Sequence, residues 1–544
     1  MALLGLAASI AATLGVYTAY KILNVLYKEF NSPLHNVPGP KSAHWFFGNR
    51  LQMFKHVEDD QEGLWTEQYG RTVRMNNIFG FSQLFTTDNK ALQHIISNSH
   101  IYQKPAGARS FLTRLVGPGV LVVEEDAHKK QVRINPANPA FGSAQLRALT
   151  EIFVEKSKQL RDLWADRAAE GGGVARVNVI PDFSTATLDI IGKAGFNYDF
   201  HSLGSHSGGA RDELHKAFAT IAAAGEMPTG LLTIFKSIVP FLGAVLPRRK
   251  IDKVIDSSKA VMRRIGLRLL SESKQKIAEG SNADSIGSRD LLSLLVRANM
   301  AKDIPEAQRL SEEDVLARKD TEVPTFLVAG HETTAATWAL FALAENVEIQ
   351  TRLRNELLTV DTENPSMDDL NALPYLDCVV RETMRAHAPV VATFRAAMRD
   401  DVIPLETPYM DRSGTVHETL RLGQPIVVPI LALNRDPAIW GPDAHQFIPE
   451  RWERSPPIST GIPGLWSHMM TFLGGPRACI GYRFSLVELK ALLFTLVRGL
   501  EFELPVPAAD IGRLPGSVVQ QPIVRSDRAA GAQMPLLIKP FTQS

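Results

Sequence analysis

The ten residues from Phe472 to Gly481 constrain this chain more than any other segment. They fit the pattern F-x-x-G-x-R-x-C-x-G at all five fixed positions. Glycines let a backbone turn tightly and approach a flat ligand. Cys479 precedes an apolar helical pattern over 482–499, and N–H groups at a helix start favour a thiolate. A lone cysteine beside a glycine turn is usually inert, but five matched positions predict a cysteine that binds a ligand. Arg477 offers a forked donor to a nearby carboxylate.

Composition excludes several classes of protein. The only cysteines are Cys378 and Cys479, which excludes a disulfide framework and a cysteine-rich zinc site. We expect Cys378 to be an inert core residue. The chain has 59 basic and 58 acidic residues. It therefore has no overall positive charge with which to bind nucleic acid. With 45% hydrophobic and 22% charged residues, the chain has the composition of a folded protein.

The chain begins with an apolar stretch. No charged residue occurs from Ala2 to Tyr20, and a helix of this length spans about 28 Å, close to the hydrocarbon core of a bilayer. A cleaved signal peptide is the main alternative, but no positively charged side chain precedes the apolar run. Because Lys21 and Lys28 follow it, the positive-inside rule leaves the bulk of the chain in the cytosol. We expect a single transmembrane anchor over residues 1–27.

A proline-containing hinge and one large domain are expected after the anchor. Val37-Pro38-Gly39-Pro40 blocks helix continuation and predicts a stiff hinge within residues 28–45. Residues 46–544 show no internal repeat and no second composition, which favours one domain, mainly α-helical with small β-sheets. Alternation predicts a hairpin over 72–87 and short strands over 398–430. Helical patterns cover residues 144–166, 183–194, 212–224, 250–279, 312–345, 346–358 and 482–499.

A polar group interrupts one of these helical patterns. The residues from Ala329 to Thr334 read Ala-Gly-His-Glu-Thr-Thr. A carboxyl and a hydroxyl side by side, Glu332 and Thr333, can deliver protons as a general acid pair. His331-Glu332 could also open an H-E-x-x-H zinc site, but the fifth position is Ala335, so the second histidine is missing.

Two further segments carry charged residues. Glu382 and Arg385 lie three residues apart and would share one helix face. Alone, such a pair is most often a solvated ion pair. Arg451 lies in the segment 447–452, which reads Phe-Ile-Pro-Glu-Arg-Trp.

Together these segments resemble the cytochrome P450 superfamily of haem-thiolate monooxygenases. The resemblance implies the fold of that family and haem b (iron protoporphyrin IX) with Cys479 as the axial iron ligand. In it, thiolate ligation favours O–O cleavage. Around the haem the motif places Phe472, Gly475, Arg477 and Gly481. The resemblance also implies that Glu332 and Thr333 are catalytic, and that Glu382, Arg385 and Arg451 form a buried structural triad.

The positions that bind the haem propionates in the family match this sequence less closely than the cysteine motif does. Arg395 falls where the family often has a propionate-binding arginine. A second propionate-binding arginine of the family usually lies four residues after a Trp or His. In this sequence the residue four positions after His128 is Val132. His128 is the better match, and either Arg133 or Lys129 replaces the arginine.

The resemblance implies an enzyme on the cytosolic face of the endoplasmic reticulum membrane. It would use dioxygen and electrons from an NADPH-cytochrome reductase to hydroxylate a bulky lipophilic substrate, with a terpenoid or sterol skeleton as the best match. Fatty acids and aromatic xenobiotics are alternatives. A reductase-independent isomerase or dehydratase and a non-catalytic haem-binding scaffold are rivals. The apolar segment 225–247 would line the substrate pocket or dip into the bilayer. Five basic residues are expected to form the reductase docking face: Lys129, Lys130, Arg477, Arg483 and Lys490.

Overall fold

The computed structural model describes residues 2–49, 52, 61–117, 119–134, 141–200, 203, 213, 216, 217, 220, 250–278, 334–453, 461–514 and 519–542. Its contacts divide the chain into two compact units. The first unit comprises Met1–Phe111, Met227–Lys250 and Ala392–Pro429. The second comprises Leu112–Glu226, Ile251–Val391 and Ile430–Ser544.

Helices make up most of the described chain. In chain order they are α1 (Ala2–Phe30), α2 (Gln61–Tyr69), α3 (Asn89–Ser97), α4 (Ala106–Val116), α5 (Glu125–Ile134), α6 (Ser143–Glu170), α7 (Val179–Phe196), α8 (Lys250–Ala278), α9 (Thr334–Glu345), α10 (Val347–Leu357), α11 (Met367–Asn371), α12 (Pro374–Ala386), α13 (Ile430–Asn434), α14 (Pro437–Trp440) and α15 (Tyr482–Gly499).

The strands are short. They are β1 (Thr72–Asn76), β2 (Ser82–Thr86), β3 (Tyr102–Gln103), β4 (Ala175–Asn178), β5 (Thr393–Ala397), β6 (Asp401–Met410), β7 (Val416–Leu422), β8 (Pro425–Val428), β9 (Leu500–Glu503), β10 (Ile511–Arg513), β11 (Pro522–Val524) and β12 (Pro535–Pro540). The expectation of a mainly helical protein with small sheets is confirmed.

The first unit is built on a five-stranded sheet in the order β1-β2-β8-β5-β3. Strands β1 and β2 pair antiparallel, as predicted for 72–87, and β2 pairs parallel to β8. A separate hairpin joins β6 to β7. The end of α1 is tied to this unit because the Glu29 carboxylate accepts hydrogen bonds from the N–H and hydroxyl of Ser82, at 2.9 and 2.7 Å.

The second unit is organised around α15. Residues 487–497 of this helix are all buried, so it is covered by neighbouring elements on every side, as expected for a mostly apolar helix in the core. Phe484, near its start, makes ring contacts with Phe141 and Phe153 at 6.1 and 4.8 Å. The helix ends at Gly499, and β9 then joins the antiparallel sheet β4-β12-β9. This packing fixes the helix start, which lies next to Cys479.

The other predictions divide into three groups. Helices α6, α7, α8, α10 and α15 and strands β6–β8 are found close to where the periodicity predicts them, whereas β5 precedes the predicted strand region 398–430. Of 312–345 the structure describes the part that begins at Thr334, and the predictions for 212–224 and 225–247 fall almost entirely outside the described residues. Across the described residues, no helix has the length and hydropathy needed to span a membrane. The anchor and the division into anchor, hinge and catalytic domain stay predictions.

Candidate active site

Residues 470–481 form a tight loop that leads into α15. Short 3₁₀ turns cover Met470–Phe472 and Gly475–Arg477. The loop closes on itself where the Cys479 N–H donates to the Phe472 carbonyl oxygen at 2.9 Å. The Phe472 side chain is buried, with ring contacts to Trp466 and Tyr482 at 5.8 and 5.9 Å. The backbone position of Cys479 is therefore fixed by the loop itself.

Two glycines of this loop serve different purposes. Gly475 has a φ of +62°, in the left-handed region that favours glycine. Gly481 lacks that requirement, and a Cβ built on it would meet no atom within 4 Å. The protein alone does not explain why position 481 lacks a side chain. Open space two residues after Cys479 is what a flat group lying over the cysteine would need.

Two opposing effects act on the thiol of Cys479. The residue is exposed, yet burial raises the pKa of its thiol, because protein atoms surround a group that still touches solvent. The hydrogen bond from the Gly481 N–H lowers that pKa but does not outweigh burial. The N–H group at the helix start thus favours the thiolate, as expected, while burial acts in the opposite direction. Cys378, by contrast, is buried, and its pKa is raised to about 11, in keeping with an inert core residue.

The Arg477 side chain is buried and bound to the segment before α5. Its guanidinium donates to the Val123 carbonyl oxygen at 2.8 Å and forms an ion pair with Glu124. Burial lowers the pKa of Arg477 to about 10, so the side chain stays charged at neutral pH. Glu124 carries no motif, and sequence reasoning missed it as the carboxylate partner.

Glu382 lies at the centre of a buried network that connects α12 to residues 440–452. Its carboxylate accepts hydrogen bonds from Arg385 at 2.7 and 2.9 Å, and Arg451 lies 3.3 Å away. Glu382 and Arg385 are fully buried. The Trp452 indole N–H also donates to Glu382, at 3.0 Å. This is the triad that the resemblance implies, with Trp452 as a fourth member that sequence reasoning did not assign.

The comparisons with known proteins agree with this arrangement. The family model described as cytochrome P450 matches residues 37–523. Cytochrome P450 monooxygenase 205 of Postia placenta is 47% identical over 98% of this chain and 99% of its own length. Cytochrome P450 monooxygenase 128 of the same fungus is 48% identical over 97% and 96%.

The chain belongs to the cytochrome P450 family. A more distant relative, ganoderic acid synthetase of Ganoderma lucidum, is 30% identical over 87% of this chain and 88% of its own length. Membership identifies an enzyme, a P450 monooxygenase, and implies a haem-iron cofactor. Such enzymes use dioxygen, an organic substrate and a redox partner.

The P450 cofactor can be tested against the residues present. Cys479 offers one thiol beside the open space at Gly481. In the first unit, Arg395 is 4% exposed, and its guanidinium donates to the Thr393 hydroxyl and the Phe394 carbonyl oxygen at 3.0 and 2.8 Å. Burial lowers the pKa of Arg395 to about 10, and none of the described carboxylates pairs with it. A buried cation of this kind fits an anionic ligand group. In the second unit, the Cys479 thiol fits a ligand of haem iron.

The remaining predicted P450 site residues are described only in part. His128 lies in α5 and is buried. The Arg133 backbone belongs to the same helix, but its side chain is outside the description. Gly330, His331, Glu332 and Thr333 lie outside the described residues, and α9 begins at Thr334.

The expected reductase docking face needs correction. Arg477 is buried against Glu124, and Lys490 is buried against Asp377 at 2.9 Å. Neither cation is available to a partner protein, because each already neutralises a carboxylate inside the fold. Arg483 is exposed, and Lys129 is exposed with Asp126 at 3.4 Å. The Lys130 side chain is outside the description. The sequence therefore overestimated how many basic side chains this surface offers to a reductase.

Proposed function

We propose that this chain inserts one oxygen atom of dioxygen into a C–H bond of a bulky lipophilic molecule of the terpenoid or sterol class. The observation that carries the proposal is Cys479, held by a closed loop at the start of α15 with open space beside it. The second oxygen atom leaves as water, which consumes two electrons and two protons. The substrate class is supported by the apolar segment 225–247 and by a relative named for ganoderic acid synthesis.

We assign haem b to Cys479, with Arg395 and His128 as propionate ligands and either Arg133 or Lys129 beside them. When bound, the haem iron supplies the activation of dioxygen and the transfer of one oxygen atom. Glu332 and Thr333 deliver the protons by general acid catalysis, as the sequence Gly-His-Glu-Thr-Thr suggests. Phe472, Gly475 and Arg477 hold the loop, and Gly481 keeps the space beside the sulfur open.

The decisive experiment is a difference spectrum of the reduced protein with carbon monoxide. We expect the red-shifted Soret band of a thiolate ligand in the unmodified protein and in Cys378→Ala. Cys479→Ala should lose that band while it keeps the same helical content. If Cys479→Ala retains the band, the ligand assignment is wrong.

Product analysis then tests the reaction. Cells that express this chain with an NADPH-cytochrome reductase are supplied with terpenoids, sterols, fatty acids and aromatic compounds. We expect oxygenated products from the first two classes, and loss of product without NADPH. Turnover that needs neither NADPH nor reductase would identify an isomerase or dehydratase instead. If the protein shows the thiolate Soret band but forms no product, the non-catalytic haem-binding scaffold is favoured.

We also propose that residues 1–27 anchor the enzyme in the endoplasmic reticulum membrane with its catalytic domain in the cytosol. The support is the uncharged run from Ala2 to Tyr20. The full-length protein should stay with membranes after extraction at alkaline pH. Leu14→Arg places a charge mid-run, at a cost of about 2.5–3.5 kcal/mol in a bilayer, and should release it. Val402→Arg, at an exposed apolar residue of β6, is the control and should not.

A further inference from the structure

A glutamine in the second unit is fixed by its backbone while its side chain has no partner. Strands β10 and β11 form a hairpin, and the Leu514 N–H donates to the Gln521 carbonyl oxygen at 2.7 Å near its connecting loop. The Gln520 N–H donates to the Pro389 carbonyl oxygen at 2.7 Å. The Gln520 carbonyl oxygen accepts from the Trp338 indole at 2.8 Å. Gln520 is thereby tied both to α9 and to the segment after α12.

The Gln520 amide is buried without a hydrogen bond. The residue is 4% exposed, and both Nε2 and Oε1 lack a partner. Buried side-chain amides almost always have partners, because an unmade hydrogen bond leaves the cost of desolvation uncompensated. A neighbouring side chain shows the same feature, since Oε1 of Gln521 is also buried without a partner. Two adjacent glutamines therefore have buried amide atoms without hydrogen-bond partners.

His387 contacts the same tryptophan as Gln520. Its ring stacks on Trp338, with centroids 4.8 Å apart and an angle of 9° between the planes. Trp338 thus touches His387 with its ring face while its N–H binds Gln520. The His387 Nδ1 atom is buried without a partner. Phe341 and Phe447 also pack near the His387 ring, with ring centroids 6.1 and 6.3 Å away.

The charges near His387 favour an electron-rich oxygen. Burial and the positive charges of Arg435, Arg513 and Arg385 all lower the pKa of His387, so its ring is neutral at physiological pH. Arg513 ends strand β10, directly before the connecting loop that carries Gln520. A positive potential, together with an amide that can donate, suits a carbonyl or carboxylate oxygen better than an ammonium group.

We propose that Gln520 and His387 form a buried subsite that binds a carbonyl or carboxylate oxygen of the lipophilic substrate. The inference rests on the proposed function and narrows its substrate class to molecules that already carry an oxidised carbon. Trp338 lies one helical turn after Thr334, the residue that follows the predicted proton-delivering pair, and so connects the subsite to that helix. An ordered water is the alternative occupant, since buried water commonly satisfies such groups.

The first test compares melting temperatures of the substrate-free holoenzyme. Gln520→Met keeps the size of the side chain and removes the two unpartnered atoms, so the melting temperature should stay the same or rise. Gln350→Met is the matched control, because Gln350 is equally buried but binds Leu343, Phe502 and Arg354, and its loss should lower the melting temperature by several degrees. A fall for Gln520→Met as large as that for Gln350→Met would mean that water already fills the position, and would overturn the proposal.

The second test measures binding by tryptophan fluorescence in detergent, with 5α-cholestan-3-one and the hydrocarbon 5α-cholestane as probes. For Gln520→Met we expect about tenfold weaker binding of the ketone and unchanged binding of the hydrocarbon. Equal effects on both probes would contradict the subsite. If the unmodified enzyme binds neither probe, the sterol-sized substrate class fails, and the melting comparison alone decides the subsite. A missing thiolate Soret band would instead remove the proposed function itself.

Discussion

The indole N–H of Trp452 and the Nε–H of Arg385 donate to the same carboxylate oxygen of Glu382, at 3.0 and 2.9 Å. Arg451 and the Ile448 N–H contact the other oxygen, at 3.3 and 2.8 Å. One buried carboxylate thus receives donors from its own helix and from the segment 448–452. The tryptophan of the segment Phe-Ile-Pro-Glu-Arg-Trp belongs to the network as fully as the arginine does.

Removal of one ion of this network should be costly. Glu382→Gln leaves Arg385 buried without a counter-charge, and we expect a loss of about 3–5 kcal/mol in the free energy of unfolding. Denaturant titration of the holoenzyme measures it. Arg147→Gln, which breaks the exposed pair with Asp368, is the control and should change stability little. A Glu382 variant as stable as that control would contradict the structural role.

Trp452→Phe tests the fourth member separately. The substitution keeps an aromatic ring against Trp440 but removes the N–H donor to Glu382. We expect a loss of about 1–3 kcal/mol, because the lost hydrogen bond goes to a charged group. Trp45→Phe, at a residue 80% exposed, should leave the denaturation midpoint unchanged. Identical midpoints for both variants would show that the indole contributes nothing.

The two loop glycines at 474 and 481 should respond differently to alanine. A Cβ at Gly474 would lie 1.8 Å from the Pro463 carbonyl oxygen, so Gly474→Ala should distort the loop and lower both stability and haem content. Gly481→Ala meets no protein atom, so the fold should be unaffected while the space beside Cys479 shrinks. We expect normal helical content with reduced haem per protein, measured as the pyridine haemochrome. Full haem content in Gly481→Ala would show that the cofactor lies elsewhere.

Glu488 predicts a pH dependence of stability. This carboxyl is fully buried in α15 without a partner at Oε1, and burial raises its pKa to about 8 from an ordinary 4.5. Between these values the unfolded chain releases a proton that the folded protein keeps. Stability contributed by this group is therefore fully present below pH 4.5 and falls by about 1.4 kcal/mol per pH unit as pH rises towards 8.

Glu488→Gln should remove this slope. Denaturation at pH 5, 6.5 and 8 should show near-equal stability of variant and unmodified protein at the lowest pH, and a growing advantage of the variant at higher pH. Thr495→Val is the control, because it removes a buried unpartnered hydroxyl of the same helix that does not titrate. Its effect should be the same at every pH. If the stability of Glu488→Gln and of the unmodified protein changed with pH in the same way, the raised pKa of Glu488 would be disproved.

The corrected docking surface gives a further prediction. Arg483→Glu and Lys129→Glu should raise the reductase concentration needed for half-maximal turnover, most clearly at low salt. Lys490→Glu should instead unfold the protein locally, because it places two carboxylates against each other at Asp377. An unchanged reductase titration for both exposed variants would rule out this surface as the docking site.

Sequence patterns predicted the elements with strong local signals and missed partners brought together by the fold. Sequence patterns located α15 and the β1–β2 hairpin, although both α15 and β2 are buried on more than the one face that a regular pattern would imply. Glu124 could not be assigned as the partner of Arg477, because the two lie 353 positions apart and Glu124 belongs to no motif. Gly474 is not a fixed position of the motif, and its need for glycine is seen only from the approach of the Pro463 carbonyl oxygen in the fold. The N–H donor at the start of α15 could be anticipated from the sequence, whereas the burial that raises the pKa of Cys479 depends on the surrounding fold.

The hydrogen bonds of Arg385 limit how segments of related proteins can be combined in a chimera. Beyond Glu382, its guanidinium donates to the carbonyl oxygens of Asn434, Ala444 and Gln446 at 2.9, 2.5 and 2.9 Å. One side chain of α12 thus satisfies main-chain groups of a segment that has little regular structure. A chimera that takes α12 from one parent and residues 434–446 from another must reproduce the same backbone path to within hydrogen-bond tolerance. These two stretches should therefore be exchanged as one block.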